Sequence, residues 1–186
     1  MDKIGVLINW ALVGIFLLTL SAFSSSRIVA KYKGIDGEFA NFNNEYRYLA
    51  KTHGILLDNQ INIGFSEIDQ KRFNLKTGRV IGMCIYGATF REIEIDKEYW
   101  DNASETTRMV LIYHELTHCA CGRDHDYNRK PYGDGTENKR DPKNINGYFK
   151  DGCPRSVMFP FILEDSCTLS HYDQYIDEMF DRCEAY

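Results

Sequence analysis

Residues 101–125 read DNASETTRMVLIYHELTHCACGRDH, and the prediction of the fold begins from them. Asp101 to Ser104 offers residues that favour a helix N-cap, and Glu105 places a negative charge in the first turn. Gly122 is typical of the position that ends a helix. Between them, apolar side chains recur at helical spacing, namely Met109, Ile112, Leu116 and Ala120. The pattern predicts one helix that stops at Gly122.

Two histidines and a glutamate on this helix have the spacing of a metal site. His114 and His118 are four residues apart and point the same way, so their imidazoles can bind one ion from consecutive turns. Glu115 lies beside the metal rather than on it. From there its carboxylate can take a proton from a zinc-bound water and pass it to a leaving amine. The pattern predicts a zinc-dependent hydrolytic site with Glu115 as general base and acid.

A third histidine, His125, comes after the bend at Gly122. Catalytic zinc commonly has three protein ligands and keeps a fourth position for water, and His125 would complete that set around one catalytic Zn²⁺. Cys119 and Cys121 lie close to the motif, but neither repeats the ligand face of the helix. We expect disulfide or core roles for these two cysteines.

The stretch His114 to His125 resembles the zinc signature of the metzincin metallopeptidases. Ser156-Val157-Met158-Phe159 resembles the methionine turn of that clan, with Met158 as its methionine, and Leu169 to Asp173 is similar to the start of the C-terminal helix of matrix metalloproteinases. The resemblance extends from Gln60 to Phe180. It implies a zinc-dependent endopeptidase with a metzincin-like α+β fold, in which a small twisted mixed sheet accompanies an active-site helix and a C-terminal helix.

One departure from the metzincin pattern affects the third ligand. Metzincins usually have two residues between the second histidine and the glycine, whereas this chain has three, residues 119–121. One added helical residue rotates the rest of the motif by about 100°. Asp124 and Asp126 therefore remain alternatives to His125.

Alternating apolar residues predict three strands, in Gln60–Ile68, Arg79–Tyr86 and Thr89–Asp96. A first helix is predicted from Gly37 to Lys51. A last helix is predicted from Leu169 to Cys183, with Ser170 and Asp173 as a capping box at its start. By the metzincin resemblance, Ile93 to Asp96 fits the edge strand along which an extended peptide substrate pairs.

The N-terminal run from Ile4 to Phe23 is uncharged and largely apolar. It is long enough to span a bilayer, and the small residues at its end also fit a signal-peptide cleavage site. We expect residues 1–24 to be a signal peptide or a membrane anchor and residues 25–186 to form the metallopeptidase domain. The domain is then secreted, periplasmic or anchored outside the cytoplasm.

The six cysteines are consistent with an oxidising compartment and up to three disulfides. Cys153 and Cys167 bracket a short turn-like stretch and are the favoured pair. The alternative is that all six are reduced and buried, as expected if the domain faces the cytosol.

With 27 acidic and 22 basic side chains and no long run of either sign, the chain gives no electrostatic reason to expect a nucleic-acid partner. The expected partner is a peptide or protein substrate, and a membrane only if the leader remains. Tyr127 to Gly152 is polar and predicts a long functional or mobile loop. The rival hypothesis is a non-catalytic, membrane-tethered zinc-binding interaction module with the same fold.

Overall fold

The computed structural model describes residues 30–57, 60–73, 78–125, 148–181 and 183. The predicted leader and residues 127–147 of the predicted polar loop lie outside these ranges. Within them, no helix combines the length and the apolar character needed to cross a membrane.

The three predicted strands, the first helix and the motif helix lie close to their predicted positions, whereas a short helix before the motif helix was not predicted. In chain order the helices and strands are α1 (Gly37–Thr52), β1 (Ile61–Ser66), a short 3-10 helix (Gln70–Phe73), β2 (Gly82–Tyr86), β3 (Arg91–Asp96), α2 (Lys97–Asn102), α3 (Glu105–Cys121), α4 (Asp165–Ser170) and α5 (Tyr172–Asp181).

The described strands form one mixed sheet in the order β1-β3-β2. β3 pairs in parallel with β1, where Ile63 lies opposite Ile93, and antiparallel with β2, where Cys84 lies opposite Ile93. The predicted α+β class with a small mixed sheet is confirmed.

The predicted edge strand is wrong. Ile93 to Asp96 belongs to β3, which is hydrogen-bonded on both sides and is therefore the central strand. The edge next to the motif helix is β2, since its Cys84 is covalently joined to Cys119 of α3. Alternation of apolar residues identifies a strand but carries no information on its place in the sheet, which is why the sequence misled here.

The core lies between the sheet and the two long helices, α1 and α3. Phe39 and Tyr46 of α1 are fully buried, as are Ile93 and Ile95 of β3. Trp100 of α2 packs edge-on against Phe39, with ring centroids 4.8 Å apart. This core fixes the orientation of α3, the helix that carries the histidine motif.

Two local predictions need correction. Asp101 and Asn102 were predicted as N-cap residues but lie inside α2, and Ser104 alone caps α3. The last helix is broken in two at His171, so Ser170 ends α4 instead of capping a helix. Asp96 caps α2 and Ser104 caps α3, so two short-range caps divide a stretch that offers several N-cap residues.

All six cysteines form disulfides. Cys153–Cys167 is confirmed, and the other two pairs are Cys84–Cys119 and Cys121–Cys183. Three disulfides in one small domain are typical of an oxidising, non-cytoplasmic compartment. Cys119 and Cys121 are therefore not thiolate ligands.

Candidate metal centre

Helix α3 begins at a side-chain cap and ends at a left-handed glycine. The Ser104 hydroxyl accepts a hydrogen bond from the Thr107 backbone amide at 3.0 Å. At the other end Gly122 has φ 63°, a conformation that glycine adopts without steric cost, and its N–H donates to the His118 carbonyl at 3.0 Å. The chain therefore reverses at Gly122 and returns His125 towards the helix.

The structure brings together the three predicted histidines. The Nε2 atoms of His114 and His125 are 3.0 Å apart, and that of His118 lies 3.1 Å from each of the other two. The three side chains form a group that could hold one metal ion. Tetrahedral zinc with Zn–N bonds of about 2.0–2.1 Å separates its ligand nitrogens by roughly 3.3 Å, close to the spacing found here.

The second ring nitrogen of two of these histidines is held by a backbone carbonyl. His114 Nδ1 donates to Val157 O at 2.8 Å, and His118 Nδ1 donates to the carbonyl of Arg123. Because a carbonyl can only accept, both imidazoles carry their proton on Nδ1 and direct the Nε2 lone pair at the shared point. Neutral lone pairs at such short separation repel one another unless a cation lies between them. The donor set therefore fits a metal ion.

Burial keeps these imidazoles neutral. It is the main cause that lowers the pKa of His114 to about 3, helped by the nearby His118. Burial also lowers the pKa of His118. Neutral imidazole is the form that binds a metal.

Glu115 is buried and lies against the edge strand. Its Oε2 has no hydrogen-bond partner among the described residues, and burial raises the pKa of its carboxyl to about 8. A buried carboxyl without a partner is costly, and a cation or a water beside it would relieve that cost. This orphaned oxygen also fits a hydrolytic metal centre.

The predicted methionine turn is a tight turn that supports His114. Met158 N–H donates to the Ser156 hydroxyl at 3.0 Å, and Phe159 N–H to the Ser156 carbonyl at 3.3 Å. Met158 itself is fully buried. The turn therefore fixes the Val157 carbonyl that orients His114.

Sequence reasoning missed the residues that hold the end of α3. The Tyr86 hydroxyl donates to the carbonyl of His118, and the Arg91 guanidinium donates to that of Cys119. Arg123, two residues before His125, is 3% exposed. A charged residue between a helix-ending glycine and a candidate ligand was the one available signal.

A second group of potential ligands is not a metal site. Asp151, Cys153 and His171 lie close together, but the Cys153 sulfur is bonded to Cys167 and offers no thiolate. His171 donates instead to Asp151 at 2.6 Å. His53, the C-cap residue of α1, likewise pairs with Asp177 at 3.1 Å. His171 is likewise a C-cap residue, at the end of α4.

One comparison with known proteins agrees with this chemistry. A family model described as "Putative phage metallopeptidase" matches residues 71–140, a range that contains β2, β3 and α3 with the three histidines. Searches of curated proteins and of solved structures find no significant match. The family match supports a metallopeptidase, and the described part of the chain contributes a histidine cluster suited to a metal ion.

Proposed function

We propose that this chain is a zinc-dependent endopeptidase of the metzincin type. His114, His118 and His125 hold the ion, and Glu115 is the general base and acid. The observation that carries the proposal is the convergence of the Nε2 atoms of His114, His118 and His125. Glu115, next to His114 in the chain, is buried, and its Oε2 has no hydrogen-bond partner among the described residues.

The donor set favours zinc and an open coordination position. Imidazole suits zinc among the common divalent ions, whereas calcium and magnesium prefer oxygen. The candidate group contains three ligands among the described residues, and three protein ligands are typical of catalytic zinc, while structural zinc has four.

When bound, zinc would lower the pKa of a coordinated water and polarise the scissile carbonyl. Glu115 would accept the proton of the attacking water and later donate it to the leaving amine. A bound cation favours the charged form of Glu115, opposing the effect of burial on its pKa. Burial of the carboxylate keeps bulk water from screening this proton transfer.

The edge strand β2 is the proposed docking site for the substrate. Among the described residues it pairs with β3 on one side only, and its residue Gly82 lies against Glu115. An extended peptide added to the free edge of β2 would therefore run alongside the metal centre. This assignment replaces Ile93–Asp96, which cannot accept a strand because β3 is central.

The chain need not be catalytic to hold zinc, and the rival hypothesis is an interaction module that binds the ion without hydrolysis. The two hypotheses differ in what they require of Glu115. A non-catalytic site has no use for a buried carboxylate whose Oε2 finds no hydrogen-bond partner in the described part of the chain. The orphaned oxygen therefore favours the enzyme.

The test is digestion of a diverse peptide pool by the full chain, read out by mass spectrometry. We expect internal cleavage by the zinc-loaded protein, no cleavage after a chelator removes the ion, and recovery when zinc is returned. Stoichiometric zinc with no cleavage of any peptide would favour the interaction module.

A further inference from the structure

A buried arginine is hydrogen-bonded through its backbone to one of the candidate metal ligands. Arg123 is 3% exposed. Its backbone carbonyl accepts the hydrogen bond from His118 Nδ1, so any shift of Arg123 moves that imidazole. Its position in the turn between Gly122 and His125 also makes it the link from α3 to the third ligand.

The guanidinium group of Arg123 is fixed on the last turn of α5. Nη1 donates to the carbonyl of Glu178 at 2.9 Å and to that of Met179 at 3.0 Å. Nη2 forms an ion pair with the Glu178 carboxylate. Several donors in a planar fork hold the side chain in one orientation, and the partial negative charge at a helix C-terminus favours the cation there.

The other oxygen of Glu178 reaches the methionine turn. Glu178 Oε2 accepts a hydrogen bond from Val157 N–H at 3.3 Å. The carbonyl of the same residue, Val157, accepts the proton of His114 Nδ1 at 2.8 Å. One ion pair is therefore joined to both helical histidines: Arg123 reaches His118 through its own carbonyl, and Glu178 reaches His114 through Val157.

A gain in the free energy of unfolding does not explain why this ion pair is present. Burying an ion pair costs desolvation that its attraction scarcely repays, and well-packed apolar residues generally serve stability as well or better. The ion pair instead fixes a geometry. It joins α5 to the turn after α3, whose Arg123 carbonyl binds His118, and to the methionine turn, whose Val157 carbonyl binds His114. The Cys121–Cys183 disulfide ties the end of α3 to the residue two positions beyond α5, at a Cα–Cα distance of 4.5 Å, and so limits movement at the same junction.

We propose that Arg123 and Glu178 are positioning residues of the metal centre, which hold the carbonyls of Arg123 and Val157 where they orient His118 and His114 for a metal ion. The proposal rests on the proposed function in that the ion is assigned to the histidine cluster. It does not depend on whether a peptide is cleaved.

Two substitutions test this role with little change in volume. In Glu178→Gln, one of the two oxygens becomes an NH₂ group, which then faces either the Arg123 guanidinium or the Val157 N–H, both donors. In Arg123→Lys, the charge remains but a single ammonium cannot reach the carboxylate and both α5 carbonyls together. Glu178 is the milder site because 23% of its side chain is exposed.

Asp96→Asn is the matched control. Asp96 is also a buried carboxylate paired with an arginine, Arg79, at 2.7 Å. The Asp96 carboxylate also accepts a hydrogen bond from Tyr99 N–H at 2.8 Å, which caps α2. Neither bond involves a carbonyl that binds a histidine. Loss of stability alone would therefore affect control and test variants alike.

The experiment measures the zinc affinity of the full, oxidised chain by competition with a chromophoric chelator, and the visible spectrum of the Co²⁺-loaded protein. We expect Glu178→Gln and Arg123→Lys to bind zinc about 10- to 100-fold more weakly than the wild type and to change the Co²⁺ spectrum. The control should stay within about 2-fold of the wild type.

Zinc affinity within about 2-fold of the wild type in folded Glu178→Gln, with an unchanged Co²⁺ spectrum, would overturn the positioning role while leaving the proposed function intact. If Arg123→Lys does not fold, Glu178→Gln alone decides. A wild-type chain that binds neither zinc nor Co²⁺ would overturn both proposals, whereas a chain that binds zinc but cleaves nothing would overturn only the enzymatic one.

Discussion

Gly82 of the edge strand and Glu115 of the motif helix are in such close contact that a Cβ atom at position 82 would lie 2.7 Å from Glu115 Oε1. A Cβ atom does not approach an oxygen this closely, so any side chain at position 82 would force the Glu115 carboxylate to move, and glycine leaves it in place. The strand proposed to bind substrate is therefore in direct contact with the proposed catalytic base.

Gly82→Ala should displace the Glu115 carboxylate and leave the histidines in place. We expect kcat for peptide cleavage to fall by at least about 10-fold, because small misplacements of a catalytic group are costly, while zinc content stays at one ion per chain. Gly37→Ala is the control, since a Cβ there meets no atom within 4 Å. Equal activity of the two variants would contradict the account of this contact.

Substitution of His125 and of its neighbour Asp124 separates two of the three predicted candidates for the third ligand. The other candidate, Asp126, lies outside the described residues. The Nε2 atom of His125 lies within 3.1 Å of both helical imidazoles, whereas Asp124 is not part of the group of described residues that could hold one metal ion. His125→Ala should weaken zinc binding by about 100-fold or more, the scale expected from losing one ligand, and Asp124→Ala should leave it nearly unchanged. Chelator competition measures both, and the reverse order would favour the aspartate.

The three disulfides should differ in their contribution to stability according to the loop each closes. The separations are 62 residues for Cys121–Cys183, 35 for Cys84–Cys119 and 14 for Cys153–Cys167. The chain-entropy relation gives about 4 kcal/mol for the longest loop and about 3 kcal/mol for the shortest. Urea unfolding of paired Cys→Ser variants should show that order, and a larger loss at Cys153–Cys167 would contradict it.

The His53–Asp177 pair should add a small pH dependence to stability. The Leu49 carbonyl first, and then Asp177, raise the pKa of His53. A raised pKa in the folded state stabilises the protein below the unfolded pKa of about 6.5, and this contribution is lost as the pH rises through the folded pKa. Asp177 is 73% exposed, so the effect is at most about 0.5 kcal/mol.

Urea unfolding of the wild type at pH 6 and at pH 8 measures how much the free energy of unfolding depends on pH. Asp177→Asn should reduce it, and Asp173→Asn on the same helix is the control. A pH dependence unchanged by Asp177→Asn would exclude the pair as its source.

The parts of the fold that local chemistry determines were predictable from the sequence. Helix α3 is predicted by its apolar spacing and by Gly122, and the strands are predicted by alternation. The convergence of the helical histidines with His125 was also anticipated, although the bend that achieves it depends on the left-handed Gly122. Each of these features depends on residues a few positions apart in the chain.

The features that the sequence concealed depend on residues far apart. The order of the strands placed β3 in the centre, which no pattern within residues 93–96 reveals. The partnership of Arg123 with Glu178 joins residues 55 positions apart. Tertiary packing also divided the predicted C-terminal helix at His171.

Zinc content and peptide cleavage, measured in the same preparations of wild type and Glu115→Gln, test the metal site and the catalytic base together. The substitution preserves the size of the side chain but removes the carboxylate that would move the proton. We predict one zinc per chain in both proteins and cleavage by the wild type alone. Cleavage by Glu115→Gln at the wild-type rate, or a folded wild type without zinc, would contradict the assignment of a zinc peptidase with Glu115 as its base.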